Sequence, residues 1–587
     1  MKNYCINVNQ TEFVFKSEGE YENLNISLLS SNAGVNEYLI EVDSRVEKAP
    51  LTISWKRKML GMLSFWSPTA ARNRSLTQWY NPRVNSSNMY YGAPVIALIK
   101  QGGENFATVA LSDAINPTKI LFSVNDFEEK GNVDFAVELF CEGAPAGKYS
   151  VRLCIDESSN KFWQTISNVK FWWENFYDIK QSHTTTGEYP LYSSWYNFHQ
   201  NPTQDKLLEE LKIAAKIGFK SVIIDDGWSY DGLGTGDYYD CGDWKFVKSK
   251  FSDFPKFVSD VHDLGIKVAV WFPVPFVGYN NPDFTKYKDK MLYLHDGFRA
   301  GIVDPRYPEI RKYIVNTYVR IVNETGIDGL KLDFIDSFKC VDKSLLITDK
   351  PAGMDVDTVE NAVMKLLEEI KTAVMSIKED FMIEFRQLYV GPEITRYSNM
   401  LRVGDCPFDL ITNRVGIIDL RLMNYDLAVH ADMLLWHKEE KAENCAKMLY
   451  NILFAVPQIS IMLRDYPKEH LRLLTNYINY WYENKEIILH GKFVVEDIEN
   501  FYSYASSENE NKRISVCYVK NNIVFDGKNT DLFNATGCDY MYIDCACSGS
   551  VQTFNYFGEK IDCVKFDANT VLKLNLQQGC MAKIIKQ

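Results

Sequence analysis

Apolar and polar residues alternate in short runs over the first part of the chain. Runs such as YLIEV, PVIALI and DFAVELF are separated by Gly, Asn and Pro, and helical periodicity is nearly absent there. Many short strands of this kind pack most simply as two face-to-face layers. We therefore predict an N-terminal β-sandwich domain over residues 1–180.

Beyond this part, the pattern changes to apolar strands that alternate with amphipathic helices. Near-continuous apolar strands are typical of a parallel sheet that is buried on both faces. Eight such strands are predicted, at residues 189–198, 221–226, 267–272, 329–334, 381–386, 400–405, 433–437 and 458–463. Eight strand–helix units of this size indicate a (β/α)₈ barrel. A doubly wound sheet is the alternative, but no glycine-rich phosphate turn follows the first strand.

Helical signals stop near residue 490, and short β runs with polar turns fill the rest of the chain. We predict a small antiparallel β domain at residues 490–587. The predicted fold class is therefore multidomain α/β and β. A central (β/α)₈ TIM barrel at residues 181–489 lies between the N-terminal β-sandwich and this C-terminal domain.

Composition limits the classes of partner. The chain has 64 Lys and Arg against 77 Asp and Glu, a net charge of −13 that argues against nucleic acid. No apolar stretch is long enough to span a membrane, and the first residues lack the apolar run of a signal peptide. The 13 cysteines show no metal-binding spacing. We expect a cytoplasmic protein with free thiols.

The predicted strand ends carry acids, basic residues and tryptophans. In barrels of this type the active site lies at the C-terminal ends of the strands. Paired carboxyl groups suit glycoside cleavage, and flat rings suit sugar faces. Metal-assisted chemistry and a site without catalysis are the alternatives. The residues at these ends include Trp195, Asp225, Asp226, Trp228, Trp271, Lys331, Asp333, Asp336, Glu384, Arg386, Arg402, Asp405, Trp436 and His437.

Three runs in order resemble glycoside hydrolase family 36. They are SVIIDDGWSYDG with the following GDWKFVKSKFSDFPKFVSDVHDLGIKVAVWFPVPFVG, then VDPRYPEIRKYIVNTYVRIVNETGIDGLKLDFID, then MLRVGDCPFDLITNR. The resemblance covers residues 188–420. It implies a retaining exo-α-glycosidase, in the first place an α-galactosidase, that uses no metal and no organic cofactor.

The resemblance also implies roles for single residues. Asp333 matches the family's nucleophile and Asp405 its acid/base. Asp225 and Asp226 match the pair that grips the 4- and 6-hydroxyls of galactose. Because an acid must hold its proton at rest, we expect a raised pKa for Asp405.

Further residues are implied as substrate-binding. Trp244 and Trp271 match wall positions around the sugar, and Lys331 would place a positive charge near Asp333. Arg402 would hold the 2-hydroxyl or orient Asp405. The predicted substrate-binding set also contains Trp195, Trp228 and Arg386, and Arg386 has a second interpretation, an ion pair with Glu384.

Three stretches depart from the family pattern. WFPVPF replaces an acidic ending after the third strand, IEFRQLYVGPE replaces a loop that contacts C2 of the sugar, and Gly404 replaces Ser before the acid/base. An α-N-acetylgalactosaminidase or a transglycosylase is therefore the alternative within the family. A non-catalytic carbohydrate-binding protein is the alternative outside it. The expected partner is a small oligosaccharide or glycoside, and the resemblance allows a homo-oligomer.

Overall fold

The computed structural model describes residues 2–127, 131–179, 184–230, 238–340, 342, 344, 352–425 and 427–587. The predicted fold class is confirmed. A parallel eight-stranded barrel lies between sheets that precede it and sheets that follow it in the chain. The predicted boundary between residues 180 and 181 lies outside the described residues.

The N-terminal part is a sandwich of two six-stranded sheets with strand orders β1-β2-β5-β11-β10-β7 and β3-β4-β12-β9-β8-β6. Alternating residues such as Phe13, Phe15, Ile53 and Trp55 point inward and form one buried core. The strands are β1 (Lys2–Val8), β2 (Thr11–Ser17), β3 (Asn23–Asn32), β4 (Val35–Ser44), β5 (Leu51–Lys58), β6 (Met62–Trp66), β7 (Arg83–Ser87), β8 (Val95–Lys100), β9 (Asn105–Leu111), β10 (Thr118–Asn125), β11 (Asn132–Leu139) and β12 (Gly147–Asp156).

The barrel sheet has the strand order β22-β21-β20-β19-β15-β14-β13-β23, and every neighbouring pair is parallel. Isolated parallel bridges from His430 to Val456 and from Leu434 to Ile459 bring its two edge strands together. The barrel strands are β13 (Leu191–Ser193), β14 (Ser221–Ile224), β15 (Lys267–Pro273), β19 (Gly329–Asp333), β20 (Met382–Arg386), β21 (Met400–Arg402), β22 (Ala428–His430) and β23 (Gln458–Ile459).

The seventh predicted strand is wrong in position. The apolar run 433–437 is buried at Leu434 and Trp436, but the strand precedes it, at Ala428–His430. Only Leu434 of that run pairs with the sheet, through one isolated bridge. The prediction failed because an apolar run indicates that residues are buried but does not indicate that they pair with a neighbouring strand.

Helices cover the outside of the barrel with their apolar faces inward. The α3 helix ends at Gly218, whose φ of 116° forms a left-handed cap, and the Asp253 side chain caps the start of α4. None of the described helices is both long and apolar enough to cross a membrane. The helices are α1 (Phe162–Trp173), α2 (Trp195–Phe198), α3 (Gln204–Ile217), α4 (Phe254–Asp263), α5 (Pro282–Tyr287), α6 (Pro308–Thr325), α7 (Val359–Ile377), α8 (Leu410–Met423), α9 (Ala442–Asn451) and α10 (Lys468–His490).

A small antiparallel sheet extends the loop after β15. Its strands are β16 (Phe276–Gly278), β17 (Met291–His295) and β18 (Ala300–Val303), in the order β16-β18-β17. Phe276 and Phe298 from this insertion pack against Phe334, the residue that follows β19. The insertion therefore covers one side of the barrel mouth with aromatic rings.

The C-terminal part has a seven-stranded sheet of order β24-β25-β26-β28-β33-β30-β31 and a three-stranded sheet of order β27-β29-β32. Most pairs are antiparallel, while β26–β28 and β27–β29 are parallel. The strands are β24 (Lys492–Glu496), β25 (Tyr504–Glu508), β26 (Lys512–Cys517), β27 (Asn522–Phe525), β28 (Asn529–Asn534), β29 (Tyr540–Cys545), β30 (Gly549–Phe554), β31 (Lys560–Phe566), β32 (Thr570–Asn575) and β33 (Met581–Lys586).

Candidate active site

The barrel collects the predicted residues at the C-terminal edge of its sheet. Asp333, Arg386 and Arg402 are the last residues of β19, β20 and β21. Asp225 and Asp226 follow β14 directly. Because parallel strands end at the same edge, side chains that are distant in sequence come into contact there.

The Asp333 carboxylate is held by donors on both oxygens. Trp271 Nε1 donates to Oδ2 at 2.9 Å, and the Phe334 backbone N–H donates to Oδ1 at 2.7 Å. Arg386 Nε lies 2.7 Å from Oδ1, and the Tyr389 hydroxyl donates to the same oxygen at 3.4 Å. Phe334 has a left-handed φ of 59°, which turns the chain sharply after Asp333. The carboxylate is thus fixed before any ligand arrives.

The charge state of Asp333 suits a nucleophile. Burial alone would raise the pKa of this carboxyl group, but the positive charges of Arg386 and Lys331 outweigh burial and hold the pKa below its ordinary value. Asp333 is therefore ionised at neutral pH. A buried carboxylate in this state can attack an electrophilic carbon.

Asp405 lies at the rim, where 45% of its side chain is exposed. Partial burial would raise its pKa, but the charges of Arg402 and Lys331 lower the pKa to about 2. The expected raised pKa is therefore wrong for the free protein. The physical reason is that Nη1 of Arg402 lies only 2.8 Å from Oδ1 of Asp405, and this ion pair stabilises the carboxylate.

Arg402 is fully buried and lies against two further carboxylates. Its Nη1 is 2.6 Å from Oδ1 of Asp432, and its Nε is 3.4 Å from Oε1 of Glu384. Asp432 has no exposed surface and also accepts a hydrogen bond from the Tyr196 hydroxyl at 2.9 Å. These anions hold the guanidinium in one orientation beside Asp405.

Arg386 does not pair with Glu384, so that interpretation of the sequence is wrong. Besides Asp333, the Arg386 guanidinium contacts Asp336, with 3.4 Å from Nη2 to Oδ1. Glu384 instead lies opposite Lys331 in the strand register and faces Arg402. The two residues are separated by two positions along β20, and adjacent strands offer each of them a nearer partner.

Asp225 and Lys331 form a buried ion pair below the barrel mouth. Nζ of Lys331 lies 2.6 Å from Oδ2 of Asp225, and both side chains are at most 5% exposed. The Asp225 backbone N–H donates to the Ser194 hydroxyl at 2.9 Å. Lys331 therefore contacts Asp225 directly and acts on Asp333 through its charge.

Asp226 sits in a tight turn beside Asp225. Its carboxylate accepts hydrogen bonds from Gln200 Nε2 at 2.6 Å and from the Tyr230 hydroxyl at 2.9 Å. Burial, with a smaller contribution from the Asp225 charge, raises the pKa of Asp226 to about 6. The turn needs Gly227, whose φ is 98° and whose Cβ would lie 2.4 Å from Cα of Gln200.

Residues 168–378 match the family model for Melibiase. The match includes the strand that ends in Asp333 and the turn that holds Asp225 and Asp226. This part of the chain belongs to the Melibiase family.

Curated relatives of the Melibiase segment are α-galactosidases by name. The chain is 26% identical over 166 residues to α-galactosidase Mel36A of Lactobacillus acidophilus, covering 27% of this chain and 22% of that protein. It is 23% identical over 149 residues to α-galactosidase AgaA of Geobacillus stearothermophilus, covering 24% of this chain and 20% of that protein. The alignments thus span less than a quarter of the relatives' length.

Solved structures of similar fold extend beyond the Melibiase segment. The family 36 α-galactosidase AgaA of Geobacillus stearothermophilus is 13% identical with a TM-score of 0.63, covering 98% of this chain and 84% of that one. The α-galactosidase TtGalA of Thermus thermophilus is 14% identical with a TM-score of 0.52, covering 81% and 94%. At these identities the likeness concerns the fold. Together with the family match, it confirms the resemblance to glycoside hydrolase family 36.

The predicted aromatic wall of the Melibiase segment forms two layers. Trp271 contacts Asp333 and stacks on Tyr238 with 5.8 Å between ring centroids. Trp228 has no exposed surface, donates from Nε1 to the Trp271 carbonyl at 2.9 Å, and packs against Trp244. Trp228 therefore supports Trp271 from behind, and its sugar contact stays a prediction. Trp244 is 6% exposed in the same cluster, and its sugar contact stays a prediction.

Trp195 begins α2 at the end of the first barrel strand and is half-buried. Its ring meets the exposed His199 edge to face, with 5.2 Å between centroids. The next residue, Tyr196, binds Asp432 and so connects this rim to Arg402. A half-buried tryptophan beside a carboxylate network suits a sugar ring, and this contact stays a prediction.

Two residues of the site were missed from the sequence. Asp432 follows the short strand β22, which the apolar run after it concealed. The sequence feature that could have identified Asp432 is the one that identified Asp225, an acidic residue just after a buried strand. Tyr389 lies in the loop that departs from the family pattern, next to Leu388 with a φ of 95°. No periodicity marks such a loop residue, and only the fold brings its hydroxyl to Asp333.

Among the described residues, one group has the spacing of metal ligands: Glu188, Glu486 and His490. Glu188 precedes β13, so the group lies at the opposite edge of the barrel from Asp333. Glu188 is paired there with Lys485 and His490. The carboxylates at the mouth likewise have cationic or hydrogen-bonding protein partners.

Proposed function

We propose that the protein is a retaining exo-α-glycosidase, and specifically an α-galactosidase that releases terminal α-galactose from small oligosaccharides or glycosides. The observation that carries the proposal is the ionised Asp333, fixed at the barrel mouth. The exposed Asp405 lies at the same mouth, and the charge of Lys331 acts on both carboxyl groups. The names of the relatives support the choice of sugar, as do structures of an AgaA variant with raffinose and of TtGalA with a nitrophenyl α-galactoside.

The proposed reaction has two displacement steps. Asp333 attacks the anomeric carbon and forms a glycosyl ester, while Asp405 donates a proton to the departing glycosidic oxygen. Asp405 then removes a proton from water, which attacks the same carbon and releases Asp333 as a carboxylate. Two inversions at one carbon give net retention.

The proton on Asp405 needs a source of stabilisation that the free protein lacks. A sugar that covers the exposed rim removes water from Asp405, and this desolvation raises the pKa of the carboxyl group. Arg402 remains balanced when Asp405 becomes neutral, because Asp432 and Glu384 still face it. The network thus permits protonation of Asp405 without leaving an unpaired buried cation.

Asp225 and Asp226 support a galacto configuration. Two adjacent carboxylates on one turn can accept hydrogen bonds from two neighbouring hydroxyls of a sugar. Lys331 and Gln200 each donate to Oδ2 of one of these carboxylates at 2.6 Å, and the Oδ1 atoms accept at 2.9 Å from the Asp226 backbone N–H and the Tyr230 hydroxyl. Each carboxylate oxygen can accept a second hydrogen bond, which leaves room for a sugar hydroxyl. We infer that the sugar hydroxyls at positions 4 and 6 bind here.

We also propose a cytoplasmic location. All 13 cysteines of the chain are free in the structure, including buried ones such as Cys241 and Cys517. Unpaired thiols in this number suit a reducing compartment. The substrate would then be a small oligosaccharide or glycoside taken up by the cell.

The test is hydrolysis of p-nitrophenyl α-glycosides by the wild type and by Asp333→Ala. The panel contains the galactoside, the N-acetylgalactosaminide, the glucoside and the arabinopyranoside. We expect release from the galactoside, loss of at least a thousandfold in kcat for Asp333→Ala, and no loss for Asp465→Asn, a control whose side chain is 57% exposed. NMR of the first product should show α-galactose. Cleavage of no member, or equal rates for Asp333→Ala, would reject the proposal.

A further inference from the structure

A cavity of about 260 Å³ lies between the last barrel helix and the C-terminal β domain. One wall belongs to α9 and α10, and β28, β30 and β33 contribute to the other. In the described part of the chain, no residue that lines this cavity contacts Asp333 or Asp405. We call it the C-terminal cavity, and it is separate from the proposed catalytic site.

Two sets of polar contacts join the walls of the C-terminal cavity. Asn476 on α10 donates from Nδ2 to the Tyr556 carbonyl at 3.2 Å, in the turn that follows β30. The Tyr480 hydroxyl donates to Oδ2 of Asp531 at 2.7 Å, and Nζ of Lys512 lies 2.7 Å from the same oxygen. These contacts hold the helix against the β domain, so the cavity is formed before a ligand binds.

Three tyrosines line the helical wall, and the hydroxyl of one of them lacks a partner. Tyr450 donates to the Gly579 carbonyl at 2.7 Å, and Tyr480 donates to Asp531. Tyr477 is only 3% exposed, and its hydroxyl has no hydrogen-bond partner among the residues that the structure describes. Buried hydroxyls are almost always hydrogen-bonded, because an unpaired one destabilises the fold. A ligand that carries hydroxyl groups can supply the missing partner.

The rest of the lining combines aromatic rings with polar groups of both charges. Asn479 and Glu483 lie one helical turn apart on the exposed side of α10. Lys583 lies on the opposite wall, with Nζ 5.5 Å from the ring centre of Phe554, and Tyr556 is half-buried beside them. A carboxylate and an ammonium group in one cavity disfavour a ligand with a strong charge of either sign. They suit a neutral ligand with many hydroxyl groups, and flat rings suit the apolar face of a sugar.

We propose that the C-terminal cavity is a second saccharide-binding site, which takes a neutral mono- or disaccharide without cleaving it. Its volume lies just below the usual ~300–1,000 Å³ of sites for drug-sized ligands and therefore suits one or two sugar rings. Glu483 is the only carboxylate among the described lining residues, whereas glycoside cleavage needs two. The inference goes beyond the proposed α-galactosidase activity and does not depend on it.

The test measures the binding of galactose, glucose and sucrose to the full chain by saturation-transfer NMR. Every protein carries Asp226→Asn, which is expected to weaken sugar binding at the barrel mouth. We expect Tyr477→Phe to weaken the binding of at least one of these sugars about tenfold, because a hydrogen bond to a buried hydroxyl is lost. Asn479→Ala combined with Glu483→Gln should weaken the same sugar, and both residues are exposed, so this variant keeps the fold.

A matched control lies on the same helix. Glu486 follows Glu483 by three positions, its side chain is 78% exposed, and it does not line the cavity. Glu486→Gln changes the net charge of α10 as Glu483→Gln does and should leave sugar binding unchanged. Equal weakening by both changes would show a general charge effect and would overturn the inference.

A stability measurement distinguishes the tyrosine hydroxyls. Without sugar, Tyr477→Phe should not lower Tm, since the hydroxyl that it removes has no partner, whereas Tyr450→Phe should lower Tm by removing a buried hydrogen bond. The sugar should raise the Tm of the parent more than that of Tyr477→Phe. An equal fall of Tm in both tyrosine variants would show that the Tyr477 hydroxyl is already paired within the chain, and would overturn the inference.

The binding results also separate this inference from the proposed function. Absence of binding for all three sugars, or binding that neither cavity variant changes, would overturn the second site and leave the hydrolysis assay untouched. Failure of the wild type to hydrolyse any α-glycoside, together with sugar binding that depends on Tyr477, would overturn the proposed function and support the second site.

Discussion

Nη1 of Arg402 lies 2.8 Å from Oδ1 of Asp405, so the proposed acid is held as a carboxylate in the free protein. This pair lowers the pKa of Asp405 to about 2, although partial burial acts in the opposite direction. General acid catalysis then depends on how the bound substrate changes the pKa of Asp405 in its pair with Arg402.

We predict that kcat/KM for the cleaved α-glycoside falls with rising pH and has its basic limb below pH 6. The acid must be protonated, and kcat/KM reports the pKa of the free enzyme. Arg402→Lys, which loses the short contact and keeps a charge, should move this limb to higher pH. Activity measured from pH 3 to 8 checks both statements. A basic limb at or above pH 7 in the wild type would contradict the pairing of Arg402 with Asp405 in solution.

Asp226→Asn should weaken sugar binding and change the pH dependence of stability. Burial raises the pKa of Asp226 from 3.8 to about 6, so its ionisation costs stability as pH rises between these values, by about 3 kcal/mol at most. We expect KM to rise about tenfold, because one strong acceptor is lost. The Tm of the variant minus the Tm of the wild type should increase from pH 4 to pH 7, because only the wild type loses stability when Asp226 ionises. A constant difference would mean that Asp226 has an ordinary pKa.

Gly227→Ala should damage the site far more than Gly265→Ala. Both glycines have positive φ, 98° and 75°, but a Cβ at Gly227 would lie 2.4 Å from Cα of Gln200, whereas a Cβ at Gly265 meets nothing within 4 Å. Gly265→Ala therefore isolates the backbone strain, about 1 kcal/mol. We expect Gly227→Ala to lose at least tenfold more activity, as measured on the nitrophenyl galactoside. Equal effects would show that steric contact with Gln200 is relieved at little cost.

Trp271→Phe and Trp228→Phe should separate the two aromatic layers. Each variant loses one indole N–H, which binds Asp333 in the first case and the Trp271 carbonyl in the second. Because the Trp271 hydrogen bond lowers the pKa of Asp333, its loss should move the acid limb of kcat/KM upward and reduce activity about tenfold. Trp228→Phe should lower Tm and leave that limb in place. A change in the KM of the galactoside with Trp228→Phe would instead support a sugar contact of Trp228.

Much of the fold could be predicted because the sequence pattern is strong. Helices such as α3 and α6 carry apolar residues at helical spacing and end at Gly218 and Gly326, both in left-handed conformation. The strand that ends in Asp333 is apolar and short, as buried parallel strands are. The strand before Asp432 escaped prediction because the apolar run 433–437 follows it, and that run is buried without forming a ladder of hydrogen bonds.

The sequence by itself determined that acids and basic residues stand at the ends of barrel strands, since strand ends share one edge whatever the details of packing. It also determined the turn of Asp225 and Asp226, because Gly227 supplies the conformation that this turn requires. These features follow from local spacing, which a single segment of chain carries.

Only the tertiary structure decided which charge meets which. Arg386 lies against Asp333 and not against Glu384, and Arg402 lies against Asp405 and Asp432. Such pairs form between strands, and their distances depend on the register and closure of the whole barrel. The sequence of a single segment does not specify either of these. Electrostatic interactions fall with distance and depend on burial, so the charge state of each acid could be derived only from the folded molecule.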